Sequence, residues 1–64
     1  MCLSSVYKKD ETQNVFLCKN IARVIPQSGK VVCYDLLGNR TEFEGEILDI
    51  DLMENIILIK EVQA

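Results

Sequence analysis

Residues 47–59, Ile-Leu-Asp-Ile-Asp-Leu-Met-Glu-Asn-Ile-Ile-Leu-Ile, contain the pattern that decides the fold. In the first half of this stretch, apolar residues alternate with carboxylates, and a period of two is typical of a β-strand with one face in the core. The predicted inward residues are Leu48, Ile50 and Leu52, and the predicted outward residues are Asp49 and Asp51.

The second half of the stretch begins another strand, predicted over Ile56–Val62, after a turn at residues 53–55. Positions 56–59 are apolar on both faces, since all four residues are isoleucine or leucine. In so small a domain, two apolar faces require a second covering surface, and another copy of the chain is the simplest one. We therefore expect a homodimer that is built partly on the C-terminal strand, at Ile56–Ile59.

The rest of the chain shows short apolar segments separated by turn formers, without the 3.6-residue apolar period of a helix. Polar residues 9–14, Pro26-Gln27-Ser28-Gly29 and Leu37-Gly38-Asn39-Arg40 are the predicted loop and turns, and Gly45 marks a bulge or bend. The further predicted strands are Leu3–Lys8, Val15–Cys18, Asn20–Ile25, Lys30–Leu36 and Thr41–Glu44.

These segments predict a single all-β domain over residues 1–64. A chain of this length buries only about 60% of the surface that its unfolded form exposes, so its core is small. Exposed strand edges favour aggregation, and closing the sheet into a barrel removes them. The expected architecture is a small SH3-like or Sm-like antiparallel β-barrel of five or six short strands. An open meander that becomes a sandwich only in a dimer fits the pattern as well.

The composition narrows the classes of function. With 48% hydrophobic and 27% charged residues, the chain is too apolar for a disordered segment. Its longest apolar run, Ile56–Ile59, is far shorter than the roughly 20 residues that cross a bilayer. We expect a cytoplasmic protein with no membrane association.

Catalysis is not expected. The chain has no histidine, so it has no ordinary general base near neutral pH and no Ser-His or Cys-His nucleophile. Its three glycines stand apart and form no phosphate-binding loop. The carboxylates that alternate with apolar residues, Glu42, Glu44, Glu46, Asp49 and Asp51, are interpreted as a solvated strand face rather than a Mg²⁺ or Ca²⁺ site.

Charge argues against nucleic acid as a partner. Seven basic residues stand against ten acidic ones, and the isoelectric point is about 4.7. The four aromatic residues are not interleaved with arginines. A small β-barrel that binds RNA or another protein, without metal, is the alternative to the metal-binding function argued next.

The three cysteines are Cys2, Cys18 and Cys33, and no two of them form a C-x-x-C pair. Their odd number and wide spacing argue against a disulfide framework. Because Cys18 and Cys33 each lie within an apolar run, we interpret them as small hydrophobic core residues. Cys2 is the remaining candidate for chemistry.

An initiator methionine is ordinarily removed when the second residue has a small side chain, and removal of Met1 would leave Cys2 first. A terminal cysteine carries an amine and a thiol on adjacent carbons, which can chelate one metal ion. The amine has a pKa of about 7.7, so it binds metal at little cost in protons. Nitrogen and thiolate donors in a plane suit Ni²⁺ or Cu²⁺, and a reducing cytosol favours Ni²⁺. The alternative is that Cys2 simply begins the first strand as a small apolar residue.

The start Met-Cys-Leu-Ser-x-Val-Tyr, together with the Leu48-Asp49-Ile50-Asp51-Leu52 alternation and the Ile-Leu-Ile strand, resembles the CooT family of small nickel-binding proteins. The resemblance implies a homodimer with a small β fold. It also implies a role in delivering or storing Ni(II) for maturation of carbon monoxide dehydrogenase, with Cys2 as the metal ligand. Members of the family are also described as RNA-binding, which the acidic balance of this chain does not favour.

Overall fold

The computed structural model describes residues 3–62, and these residues form five strands and no helix. The strands are β1 Ser4–Lys9, β2 Asn14–Gln27, β3 Lys30–Asp35, β4 Arg40–Asp51 and β5 Ile56–Glu61. They form one sheet that closes on itself, so the predicted all-β class and small barrel are confirmed.

Each strand pairs antiparallel with the next along the chain, and β1 pairs with β5 to close the ring. The closing pair is parallel, with Val6 opposite Ile57 and Tyr7 opposite Leu58. An odd number of strands that reverse in turn leaves the first and last pointing the same way. The predicted antiparallel barrel therefore has four antiparallel ladders and one parallel closure.

Two long strands bend and change partners, where shorter separate strands were predicted. β2 joins the predicted strands 15–18 and 20–25, with Asn20 at a positive φ of 60° between them. β4 joins the predicted strands 41–44 and 47–52 through Gly45, whose φ is 149°. Each long strand pairs with one neighbour in its first half and another in its second, which lets five strands enclose a core.

The core lies inside the ring and is contributed by every strand. Half-buried apolar residues, Phe43 and Ile47 of β4 among them, pack around the buried ones. The buried cluster comprises Val6, Ile21, Val31, Cys33, Ile57 and Ile59.

The prediction that Leu48, Ile50 and Leu52 form part of the core is wrong. The register of β4 against β5 shifts between Ile47 and Asp49, so Leu48 is an extra residue in a β-bulge. Ile47 packs against the core instead. Ile50 lies opposite Ile57 but is 53% exposed near the end of the strand, and Leu52 belongs to the turn. Asp49 is exposed, as predicted.

The turn predicted over Pro26-Gln27-Ser28-Gly29 starts too early, because Pro26 does not end the pairing of its strand. β2 continues to Gln27, and Pro26 lies opposite Val31 on β3. The ladder between β1 and β2 stops at Ile21, so the described part of β2 beyond it pairs with β3 alone. A proline without an N–H is tolerated where one side of a strand is open.

Candidate metal centre

Cys2, the predicted metal ligand, lies outside the described residues. The described chain enters β1 at Ser4, which pairs with Ile21 in the middle of β2. The Ser5 N–H donates a hydrogen bond of 2.9 Å to the carbonyl oxygen of Asn55, in the turn before β5. The first strand is therefore fixed on both sides within three residues of Cys2.

The other two cysteines belong to the core, as predicted. Cys33 is fully buried, and Cys18 is half-buried against the same cluster. Burial, and then the charge of Cys18, raises the pKa of Cys33 to about 11. Burial, and then the charge of Asp35, raises the pKa of Cys18. Because thiolates bind metal and thiols do not, both side chains are poor ligands near neutral pH.

The carboxylates of β4 do not gather into a metal site. Within residues 3–62, no three side chains from His, Cys, Asp and Glu lie close enough to hold one ion. Glu42 contacts Lys30 and Arg40, and hydrogen bonds from these two side chains lower its pKa. Glu44 and Glu46 are exposed, in agreement with the interpretation as a solvated face.

Several basic side chains contact residues on neighbouring strands. Both arginines flank Tyr34: the Arg23 guanidinium lies 5.7 Å from the centroid of the ring, and Arg40 is the cross-strand partner of Tyr34 on β4. Lys8 pairs with Glu61 at 3.3 Å. Each of these contacts joins two neighbouring strands.

An apolar row crosses the outside of the barrel on β2, β1 and β5. The register places Phe16, Tyr7 and Leu58 side by side, since cross-strand partners share a face. The Tyr7 and Phe16 rings meet edge to face, with centroids 5.6 Å apart. Ile56 shares this outer face two residues before Leu58, and Phe16 is 51% exposed. The aromatic half of this row was not predicted, although the apolar residues at positions 7 and 16 were visible in the sequence.

An open cleft of about 400 Å³ lies at the end of the barrel where β5 finishes, whereas β1 begins at the other end. Glu46, Lys60 and the backbone at Gly29 and Gly45 are among its lining groups. Within residues 3–62, its lining contains no cysteine, serine or threonine and a single carboxylate, that of Glu46, and the cleft lies away from the start of β1.

These features define a class of protein: a small closed β-barrel whose described residues form an apolar core and hold no cluster of side chains suited to a metal ion. The chain belongs to the CooT family, because the model of the CO dehydrogenase accessory protein CooT matches residues 1–60. This is a family of accessory proteins rather than enzymes.

Two individual proteins are similar to this chain. An uncharacterized protein of Methanocaldococcus jannaschii is 37% identical over 60 residues, which cover 94% of this chain and 98% of that protein. A crystal structure assigned to CooT of Carboxydothermus hydrogenoformans superimposes with a TM-score of 0.84. The match covers 97% of this chain and 100% of the other at 16% identity, so it shows a shared fold.

Residues 3–62 contain no helix that is long and apolar enough to cross a membrane.

Proposed function

We propose that this protein is a nickel-binding homodimer that delivers or stores Ni(II) for maturation of a nickel enzyme, with CO dehydrogenase as the client. Membership of the CO dehydrogenase accessory family is the observation that carries the proposal. The described residues support it by elimination, since Cys18 and Cys33 are committed to the core and the carboxylates form no cluster.

Cys2 holds the metal in the form of the protein that begins at this residue. Its amine and thiolate bind the ion together, and the backbone nitrogen of Leu3 adds a donor when it is deprotonated. Planar nitrogen and sulfur donors favour Ni²⁺ in a reducing compartment. Each proton released on binding makes the affinity rise with pH through the range where the amine and thiol ionise.

The homodimer forms through the outer apolar row, defined by Phe16, Tyr7, Leu58 and Ile56. Ile57 and Ile59 of the C-terminal strand face the core, so only the alternate residues Ile56 and Leu58 remain for a partner. β5 has hydrogen-bonded neighbours on both sides, so a second copy contacts its side chains rather than its backbone. A dimer of this kind brings two copies of Cys2 into one assembly.

Titration with Ni²⁺ tests the site. Protein that begins at Cys2 is expected to develop thiolate-to-nickel absorption, which Cys2→Ser abolishes and Cys18→Ala and Cys33→Ala retain. Alanine is preferred at the buried positions because a serine hydroxyl would be buried there without a partner. A variant with extra residues before Cys2 should bind more weakly, since its amine becomes an amide. Equal binding by all the cysteine variants would refute the site.

Light scattering at micromolar concentration tests the assembly. The wild-type chain should have twice the mass of one copy, and Leu58→Glu should have the mass of one. Leu37→Glu is the matched control, because Leu37 is 85% exposed in a loop. A monomeric wild-type protein, or a dimer unaffected by Leu58→Glu, would exclude this interface.

Reconstitution tests the client. Nickel-loaded protein should restore activity to nickel-free CO dehydrogenase at lower total nickel than the free ion requires. The Cys2→Ser protein should give no advantage over the free ion, and an equal advantage from it would refute delivery through Cys2.

A further inference from the structure

The second half of β4 has an open edge. β4 pairs with β3 through residues 40–44 and with β5 through residues 45–51. In the described chain, every strand pairing of residues 46–51 is therefore on the β5 side. We call the other side the β4 edge. Such an edge presents unpaired backbone N–H and C=O groups, which are a template for an added strand.

Large apolar side chains are exposed along this edge and in the turn that follows it. Leu48 is 43% exposed and Ile50 53% on the strand, and Leu52 is 80% and Met53 91% exposed in the turn. Single exposed apolar residues are ordinary, whereas several in one short stretch indicate an interaction surface. The bulge at Leu48 removes this side chain from the core. Packing inside the barrel therefore does not explain why these exposed residues are apolar.

The charge of the edge specifies its partner. Glu46, Asp49 and Asp51 lie on the same six residues, and none of the ion pairs found in residues 3–62 involves them. A second copy of this strand would place Asp49 opposite Asp49 if the pairing were centred there, and Asp49 opposite Asp51 if it were centred on Ile50. Like charges directly opposite each other destabilise a strand pair. A segment with lysine or arginine between apolar residues complements both features of the edge.

We propose that the β4 edge binds an extended segment of another protein, in which basic and apolar residues alternate, as an added strand. The edge leads into the turn whose Asn55 carbonyl accepts the hydrogen bond from Ser5. A segment bound there lies near the start of β1. This inference rests on the proposed function, and it makes the edge the docking site for the protein that receives nickel.

The probe is a capped synthetic peptide of four Lys-Val repeats, with a Glu-Val peptide of the same length as its charge control. Backbone amide NMR of the whole chain should show shifts confined to residues 46–51 and their neighbours. Hydrogen exchange there should slow by about tenfold or more, and binding should weaken as salt is added. The Glu-Val peptide should have no effect. Shifts centred on another surface would overturn the proposal.

Charge reversal gives a matched pair of variants. Asp49→Lys should weaken binding of the Lys-Val peptide by about tenfold, and Glu11→Lys, the same charge change in the exposed β1–β2 loop, should weaken it much less. Equal losses of peptide affinity in the two variants would mean that the peptide is attracted to the negative charge of the whole protein, and this would contradict the proposal. If Ile50→Ser converts a dimer into a monomer and leaves peptide binding unchanged, the edge is an interface between copies, and the proposal is wrong.

The nickel proposal and the docking proposal fail separately. Asp49→Lys is expected to titrate with Ni²⁺ as the wild type does, and Cys2→Ser is expected to bind the peptide as the wild type does. Loss of peptide binding in Cys2→Ser would contradict the independence of the edge.

Discussion

Gly45 on β4 lies directly against the backbone of Lys60 on β5, where no side chain fits. A Cβ atom on Gly45 would lie 2.9 Å from the Lys60 carbonyl carbon and closer still to its oxygen. The φ of 149° is also one that residues with a side chain rarely adopt. β4 leaves β3 and joins β5 at this residue, so the close approach is part of how the barrel closes.

Gly45→Ala should therefore destabilise the fold by about 3 kcal/mol or more, since it combines backbone strain with a clash that only backbone movement can relieve. Urea unfolding measures the change. Gly38→Ala is the control: Gly38 also has a positive φ, of 90°, but a Cβ there meets nothing within 4 Å. Gly38→Ala should lower the free energy of unfolding by only about 1 kcal/mol. Similar losses in the two variants would contradict the role of the contact with Lys60.

The sequence predicted the strands better than it predicted their joins. Gly45 was recognised as a bulge or bend because glycine is the residue that such a position requires. The bulge at Leu48 was missed although Ile47 and Leu48 are adjacent apolar residues, where the alternation changes phase. The prediction followed the longer alternation after this point and so placed Leu48, instead of Ile47, in the core. Asn20 joins two predicted strands into β2, since a residue in the left-handed region can bend a strand without ending it.

The candidate site was predicted from a different kind of information. Burial of Cys18 and Cys33 followed from their apolar neighbours, and the structure confirms it. The metal role of Cys2 depends on backbone chemistry at the N-terminus and on family resemblance, and it remains a prediction. The open β4 edge could not be foreseen, because the sequence does not reveal which half of a long strand has a second neighbour.

Cys33 should make stability depend on pH in the alkaline range. The pKa of the thiol is about 8.5 in the unfolded chain, and burial raises the pKa of Cys33 in the folded protein to about 11. Between these values the unfolded chain loses its proton first, so the free energy of unfolding should fall as the pH rises. Urea unfolding at about pH 8 and about pH 10.5 should show a larger fall in the wild type than in Cys33→Ala.

Alkylation gives an independent check on the same thiol. At one neutral pH, a pKa of about 11 leaves roughly three-hundredfold less thiolate than an ordinary cysteine has, whose pKa is about 8.5. Iodoacetamide should therefore label Cys33 slowly in the folded protein and rapidly in denaturant, as followed by mass spectrometry. Equal rates in the two states would show that Cys33 is not protected by the core.

Val32 is fully buried, although it lies outside the main core cluster. It occupies the outer face of β3 between Ile25 and Glu42 on the neighbouring strands. The Lys30 and Arg40 side chains meet at Glu42, so their aliphatic portions are available to cover this position.

Val32→Ala should destabilise the protein by about 2 kcal/mol, as expected for a buried apolar side chain, despite its position outside the barrel. Thermal and urea unfolding measure this. Val62→Ala, at a position that is 58% exposed, should change the stability by less than about 0.5 kcal/mol. A loss for Val32→Ala as small as this control's would mean that burial of Val32 on the outer face contributes nothing to stability.

Asp35 should make the β3–β4 loop sensitive to acid. Its carboxylate accepts hydrogen bonds from the backbone N–H groups of Leu37 and Asn39, both at 2.9 Å, and from the Asn39 side chain at 3.0 Å. The Asn39 side chain first, and then these backbone donors, lower the pKa of Asp35. The stabilisation is therefore complete above the ordinary carboxyl range and is lost as the pH falls through the folded value. The free energy of unfolding should differ more between about pH 7 and about pH 2 in the wild type than in Asp35→Asn. Amide hydrogen exchange at Leu37 and Asn39 should be faster in the variant.

Asp10→Asn is the control, because the Asp10 carboxylate accepts its hydrogen bond from the adjacent Glu11 N–H and joins no other part of the loop. This variant should keep the wild-type dependence of stability on pH. If Asp35→Asn keeps that dependence as well, the charge of Asp35 does not hold the β3–β4 loop.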